Sequence, residues 1–424
     1  MQVNRLVGKN VFLWGARMTG LGALRKLNAE GIHVQNFIDS DPALWGLVLN
    51  NLNVLSPNDA KPIYERGGID VIVITAILKA EDIKRSIEKI FGKSAKLEIY
   101  LYGSEEAPSY TVDIIGTCNL KCGSCPHSLS DHGVPKGSMS VETFKKVLGK
   151  ALHETPSLSH ISLYSWGDPL LHPHLPQIID LCHHYNIAVA LSSNLSINLD
   201  RNLADIVESN PDYFKVSVSG FTQKVYGKTH QGGDINLVKS NLYKLRYLMD
   251  RKRKSFLVDI NYHLYRNNVG DELNQFKSLA NDLDFILSET HSLVMPLERV
   301  FAHLEGSPDY NTQILNKELL LVTIDEGIEA SGGKKLGKRN CPFLLNQVNI
   351  NADLSVPLCC LTFNRNLETT AVQNYLSVKA EDIVSEKLKK KLCIRCQAEG
   401  LPEYNMGFNK EKWINIARGK GYNL

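Results

Sequence analysis

Apolar positions in the first hundred residues come as short unbroken runs, "NVFLWG", "HVQNFID", "DVIVIT" and "KLEIYLYG", separated by stretches of helical periodicity from Leu21, near 57–66 and near 80–91. Strands that are apolar at every position are buried on both faces, so this alternation predicts a parallel sheet covered by helices. From about 104 to 300 the alternation resumes. Strands read at "TVDII", "HISLYS", "IAVALSS", "YFKVSVS", "FLVDINYHL" and "LDFILSE", with helices from Val141, His174, Asp200, Ile235 and Asp271. Six strand–helix units in a row predict an open, partial TIM-like (β/α)6 barrel, with its chemistry at the C-terminal ends of the strands. Residues 301–424 are less regular and contain the loop "SGGKKLGKRN". The expected fold class is α/β in three domains: 1–103, a parallel α/β domain; 104–300, the partial barrel; and 301–424, a small cysteine-bearing domain. The sequence contains no internal repeat and no low-complexity tract.

Composition narrows the function classes. A chain of 424 residues, 43% hydrophobic and 22% charged, has material for two or three ordinary cores. Its first apolar stretch is too short for the core of a signal peptide, and no run approaches the length of a membrane span. A cytoplasmic location without a membrane partner is therefore expected. A formal net charge of +3 creates no broad field for nucleic acid, and the basic runs "RKRK" and "EKLKKK" read as solvated helix faces. In a reducing compartment the nine cysteines read as metal ligands before disulfides. Three are central, five are C-terminal, and Cys182 sits alone on an amphipathic helix as a small core residue.

The turn "GARMTGLG", with Gly15 and Gly20, together with Asp39 closing the second strand, resembles the Rossmann fingerprint. Arg17 stands where that pattern has its second glycine. Two readings stay open for this Rossmann-like domain: a ligand holder, with Arg17 on a phosphate, and a docking module.

"VDIIGTCNLKCGSCPHS" places Cys118, Cys122 and Cys125 directly after the first barrel strand. Thiolates at this spacing can bind three corners of a cubane cluster and leave the fourth iron open; structural cysteines or a partial zinc site are the alternatives. The residues resemble the radical S-adenosylmethionine (radical SAM) superfamily, whose signature is C-x3-C-x2-C. That resemblance implies a 4Fe-4S cluster, S-adenosylmethionine chelated at the open iron, its cleavage to a 5′-deoxyadenosyl radical, and a flavodoxin- or ferredoxin-type electron donor. "SWGDPLLHP" is similar to the family's Gly-Gly-Glu-Pro segment, which implies cofactor contacts for Trp166, Gly167, Asp168 and Pro169. Asn194 in "LSSN", and Ser217 and Ser219 in "VSVSG", fall where relatives meet the ribose and carboxylate. Ser124 replaces the aromatic residue common before the last cluster cysteine. His172 and His174 read as loop and N-cap residues.

The C-terminal cysteines can close a four-thiolate site from Cys341, Cys359, Cys393 and Cys396, with Cys360 able to replace Cys359. Spacing alone also allows a zinc ribbon. Behind such a barrel the set resembles the SPASM domain in its shorter twitch form, which implies an auxiliary second 4Fe-4S cluster. A fully ligated cluster moves electrons or shapes a pocket. Relatives with these domains include an amino-cyclitol dehydrogenase, sulfatase-maturing enzymes and peptide maturases. The last often carry a winged-helix front domain, whereas this front segment reads as parallel α/β. The expectation is therefore an oxidoreductase acting on a carbohydrate-like substrate: a sugar, a nucleotide-linked sugar or an aminocyclitol. Epimerisation, with Cys360 as hydrogen donor, and peptide or protein maturation are the alternatives. The sequence does not identify a catalytic base.

Overall fold

The computed structural model describes residues 3–92, 96–103, 108–128, 137–198, 202–332, 341–363 and 368–424. The first sheet holds β1 (Val11–Trp14), β2 (Val34–Ile38), β3 (Val48–Leu49), β4 (Leu52–Leu55), β5 (Val71–Ile74) and β6 (Glu98–Leu101), in the order β3-β4-β2-β1-β5-β6. The central strands β1 and β5 are buried at every position, as their unbroken apolar runs require. All pairs are parallel except β3–β4, a small hairpin turned through Asn50 and Asn51, both at positive φ. The apolar pattern alone does not reveal that hairpin. Helix α1 begins at Met18, ahead of the periodicity expected from Leu21.

The second sheet is parallel throughout and contains β7 (Ser109–Val112), β8 (His160–Ser162), β9 (Ala188–Ser193), β10 (Tyr213–Val218), β11 (Leu257–Leu264) and β12 (Ile286–His291) in sequential order. A seventh strand, β13 (Gln347–Ile350), pairs with β7 and extends the sheet at that edge. It comes from the segment that reads as irregular in sequence. Helices start at Val141, Ile235 and Asp271 as expected, and at Leu175 where His174 was expected; Asp200 lies outside the described residues, ahead of the helix Asn202–Ser209. Alternate strand residues such as Phe214, Val216, Val218, Val258 and Ile260 point outward into one large core beneath these helices. A third core gathers around Tyr404 and Trp413 and includes Leu297, Val300 and Phe301. Among the described residues no helix is long and apolar enough to cross a membrane.

Helix α1 (Met18–Ala29), which covers one face of the first sheet, and the turn Pro42–Leu44 close the floor of the barrel against the starts of β8, β9 and β12. Leu257 and Ile286, at the starts of β11 and β12, belong to the same apolar cluster as Val11, Leu13 and Val73. Arg25 on α1 pairs with Asp212 at 2.5 Å, and that carboxylate, fully buried, also bonds His183 Nε2 (3.0 Å) and the N–H of Val189 (2.9 Å). Removing one partner of a buried pair leaves an uncompensated charge. Arg25→Met is expected to destabilise the protein by about 3 kcal/mol. Chemical denaturation at neutral pH measures this; an unchanged midpoint would show that the contact is dispensable.

Candidate functional site

The cysteine loop and the Trp166–Pro169 loop form one unit. Asp113, just past β7, is buried and accepts hydrogen bonds from the backbone N–H groups of Trp166 (3.2 Å) and Gly167 (3.2 Å). Burial pushes its carboxyl up to about 7. The N–H of Asp168 donates to the Thr117 carbonyl at 2.9 Å. Only glycine fits at 167, because a Cβ there would lie 1.6 Å from the carbonyl oxygen of Ile115. Behind the loop, Arg299 on the helix Leu297–Leu304 is 4% exposed and donates to the carbonyls of Gly123 (2.8 Å) and Met295 (3.0 Å). Tyr265 donates to Ser124 Oγ at 3.2 Å, so Ser124 serves as an anchor point. Neither Arg299 nor Tyr265 lies in a local motif, which is why sequence reasoning misses both.

Burial pushes the Cys118 thiol up to about 11 and Cys125 up to about 12, and it raises Cys122 as well, with the neighbouring sulfurs adding to the effect. Cys118 Sγ accepts from Leu120 N (3.5 Å) and Asn194 Nδ2 (3.7 Å). Three half-buried thiols on one short loop, held neutral until a positive charge is near, are a donor set that fits an iron–sulfur cluster.

The other expected cofactor residues divide. Asp168, 3% exposed, accepts from Leu170 N, Ser193 Oγ, Asn194 N and Asn194 Nδ2, at 2.8 to 3.1 Å. Burial pushes it up to about 6. Asn194 also reaches Asn119 Oδ1 at 2.9 Å. Asp168 thus ties the Trp166–Pro169 loop to the end of β9, and Asn194 ties the end of β9 to the cysteine loop. Pro169 opens the short turn Pro169–Leu171, and the Trp166 carbonyl pairs with His127 Nε2 at 2.9 Å. Ser219 is fully buried and bonded to Thr229 and to His230 Nδ1 (2.6 Å), away from any opening. Ser217 faces the barrel interior. His172 bonds the Met139 carbonyl and accepts from the N–H of His174, and Cys182 is packed in the outer core.

Inward-facing positions of the barrel are polar above its floor. Ser217 on β10 stands beside Asn261 on β11, which stands beside Ser288 on β12; His263 is beside Thr290. Thr111 on β7 is level with Asn349 on β13. Lys215 lies over the Tyr164 ring at 5.0 Å, and burial, with Lys215 nearby, holds His263 down at about 4. Parallel barrels of this kind ordinarily fill their interior with Val, Ile and Leu. Here the carboxylate and amide oxygens Asp259 Oδ1, Asn261 Oδ1 and Asn349 Oδ1 are buried without a hydrogen-bond partner. At the floor Asp259 Oδ2 accepts from Tyr213 (2.5 Å), Ser288 (3.0 Å) and Arg17 (3.0 Å).

Arg17 is also paired with Asp41 at 2.8 Å, so both of its partners are carboxylates of this chain. Asp39 accepts from Ala16 N (2.8 Å) and Asp41 N (2.9 Å). A Cβ on Gly20 would lie 1.8 Å from the Gly15 carbonyl oxygen, so packing of α1 on β1 accounts for that glycine. Arg17 and Asp39 thus make internal contacts, and together with Gly15, Gly20 and Lys79 they also line a crevice at the C-terminal end of β1, so the ligand-holding and docking readings both remain.

Cys341, Cys359, Cys393 and Cys396 line one apolar cavity walled by Leu297, Phe343, Leu358 and Leu361. Burial pushes the Cys360 thiol up to about 11, and the nearby side chain of Gln347 on β13 opposes that rise. Lys387 corrects the reading of "EKLKKK" as a solvated face: it is fully buried and donates to the Gln347 carbonyl at 2.7 Å. Four thiols around an apolar void fit a cubane, and they equally fit zinc by donor type. Among the described residues no three His, Cys, Asp or Glu converge closely enough to hold a single metal ion. The two cysteine sites share a wall. Leu297 and Arg299 sit on one helix, and Phe363, just beyond Cys360, contacts the rings of Trp166 (5.7 Å) and His127 (6.3 Å) edge-on.

A search of curated proteins found no match. The structure of BtrN in complex with AdoMet and 2-DOIA aligns over 70% of this chain and 88% of its own, at 16% identity and a TM-score of 0.39. Streptococcus suis SuiB bound to precursor peptide SuiA aligns over 77% and 83%, at 10% identity and a TM-score of 0.47. These likenesses are too loose to say what this chain acts on. Residues 112–262, which include the three-cysteine loop, match the model of the Radical SAM superfamily, and this segment of the chain is a radical SAM domain.

Proposed function

We propose that the protein is an oxidoreductase that removes a hydrogen atom from a small, polyhydroxylated, carbohydrate-like substrate held inside the barrel. The observation that carries this reading is the polar interior with its unpartnered acceptors, Asn261 Oδ1, Asn349 Oδ1 and Asp259 Oδ1. Buried acceptors left without donors are unfavourable, and a ligand with several hydroxyl or ammonium hydrogens supplies those donors. A closed floor suits a compact molecule better than an extended peptide.

Cys118, Cys122 and Cys125 hold the 4Fe-4S cluster, and the Trp166–Pro169 backbone and Ser217 border the place of S-adenosylmethionine. Together these groups supply a 5′-deoxyadenosyl radical when bound. Asp168 and Asn194 act one step back, fixing the loop that carries Cys118. His263, held neutral by burial and by Lys215, is placed to accept the hydroxyl proton that an alcohol loses on becoming a ketone. Cys341, Cys359, Cys393 and Cys396 would hold an auxiliary cluster, which would take the one electron left after the hydrogen atom and the hydroxyl proton have gone. A second reading, epimerisation, is favoured by Cys360, a thiol adjacent to Cys359 and near Gln347 on β13, the edge strand of the barrel sheet.

The test is anaerobic reconstitution followed by a screen of sugars, nucleotide-linked sugars, aminocyclitols and short peptides, reading 5′-deoxyadenosine. Stimulation by a polyol is the expected result; stimulation by peptides alone would overturn the reading. Replacing Cys118, Cys122 and Cys125 together by Ala should leave about four irons per chain in the C-terminal site and abolish 5′-deoxyadenosine; stoichiometric zinc there would exclude the auxiliary cluster. With a substrate in hand, Asn261→Leu should raise KM about tenfold, the worth of one hydrogen bond, without changing substrate-free cofactor cleavage. In deuterium oxide the oxidation yields a carbonyl product. A product of unchanged oxidation level that carries one carbon-bound deuterium, lost in Cys360→Ala, would establish the epimerase instead.

A further inference from the structure

The helix Ala380–Leu388 turns its side chains the wrong way round for burial alone. Lys387 is fully buried, whereas the next residue, Leu388, is 54% exposed. Interiors exclude lysine unless something compensates its charge. The ammonium donates to two carbonyls, Gln347 at 2.7 Å and Phe343 at 3.5 Å, which satisfies hydrogen bonds and leaves the charge itself unpaired. Phe343, whose carbonyl it bonds, walls the cysteine cavity two residues from Cys341, so the ammonium sits against that wall. Glu403, 4% exposed, follows Pro402, which also lines the cavity. One buried lysine and one buried glutamate therefore adjoin the cysteine cavity.

We propose that Lys387 is the charge-compensating group of the C-terminal cysteine site, raising the midpoint potential of an iron–sulfur cluster bound there. The inference rests on the reading of those cysteines as a cluster site. A cubane held by four thiolates is negative when oxidised and one charge more negative when reduced. A buried cation beside it therefore favours the reduced form, and a buried anion opposes it. The step concerned is the gain of one electron from a chemical reductant such as dithionite, with no bond formed and no proton moved. Lys387 touches neither substrate nor cofactor and acts through the cluster's potential alone.

The experiment uses the full-length chain with Cys118, Cys122 and Cys125 replaced by Ala, reconstituted anaerobically so that any remaining cluster is the C-terminal one. Iron content and the electron paramagnetic resonance signal are followed through a redox titration. Lys387→Met and Lys387→Gln, the second keeping a donor for the Gln347 carbonyl, should move the midpoint to more negative potential. Lys387→Arg should restore it, and Glu403→Gln should move it the opposite way. Neutral variants that load the cluster with an unchanged midpoint would overturn the proposal. Loss of iron in both neutral variants, with loading kept in Lys387→Arg, supports it; loss in all three marks Lys387 as a packing residue and overturns it. A parent protein that binds no second cluster would overturn the cluster reading, an outcome separate from these.

Discussion

An interior lined with hydroxyl, amide, imidazole and ammonium groups removes the apolar filling on which parallel barrels ordinarily depend, and much of this structure follows from that constraint. The missing burial is made up outside the sheet and beneath it. Outward residues of every barrel strand join one large core under the helices, while Leu257 and Ile286 enter the core of the first sheet. Asp259 ties the two layers at the floor, where one carboxylate oxygen takes hydrogen bonds from β10, from β12 and from Arg17 of the first sheet's opening loop. The front segment is therefore part of the barrel's construction, whatever else it does.

The rim has a comparable economy of parts. The helix Leu297–Leu304 supplies Arg299 to the carbonyl of Gly123 in the cysteine loop, Leu297 to the C-terminal cavity and Glu298 to the N–H of Phe363. Phe363 in turn packs on Trp166 and His127. Both sets of cysteines are thus braced by the same short helix and by the segment that follows Cys360.

The alternation of apolar runs and helical periods made the two parallel sheets legible, because a strand buried on both faces has no other sequence pattern. Cysteine spacing marked both cysteine sites for the same kind of reason: thiolates that share a cluster must be close in the chain or brought together by the fold. What stayed hidden is non-local. β13 has an ordinary sequence whose partner lies far upstream, and Arg299 reaches the cysteine loop from a helix that carries no motif. Lys387 was misread because a basic run on a helix normally faces water; Leu388 beside it, exposed, was the only local sign of an inverted face. Asp168 and Asn194 were found by motif, yet their hydrogen bonds turn them toward each other, a detail that depends on where β9 ends.

β13 has a consequence for how the molecule is made. Its pairing with β7 joins distant segments, as the bond from Ser109 to Asn346, 237 residues apart, illustrates, so this edge closes only when residues 347–350 are available. During synthesis the N-terminal parts emerge first, and an unpaired strand edge is a template for association with other chains. Until residue 350 has left the ribosome, β7 carries such an edge directly beside the three-cysteine loop. The order of translation therefore leaves this association-prone edge of the barrel open until β13 has been made.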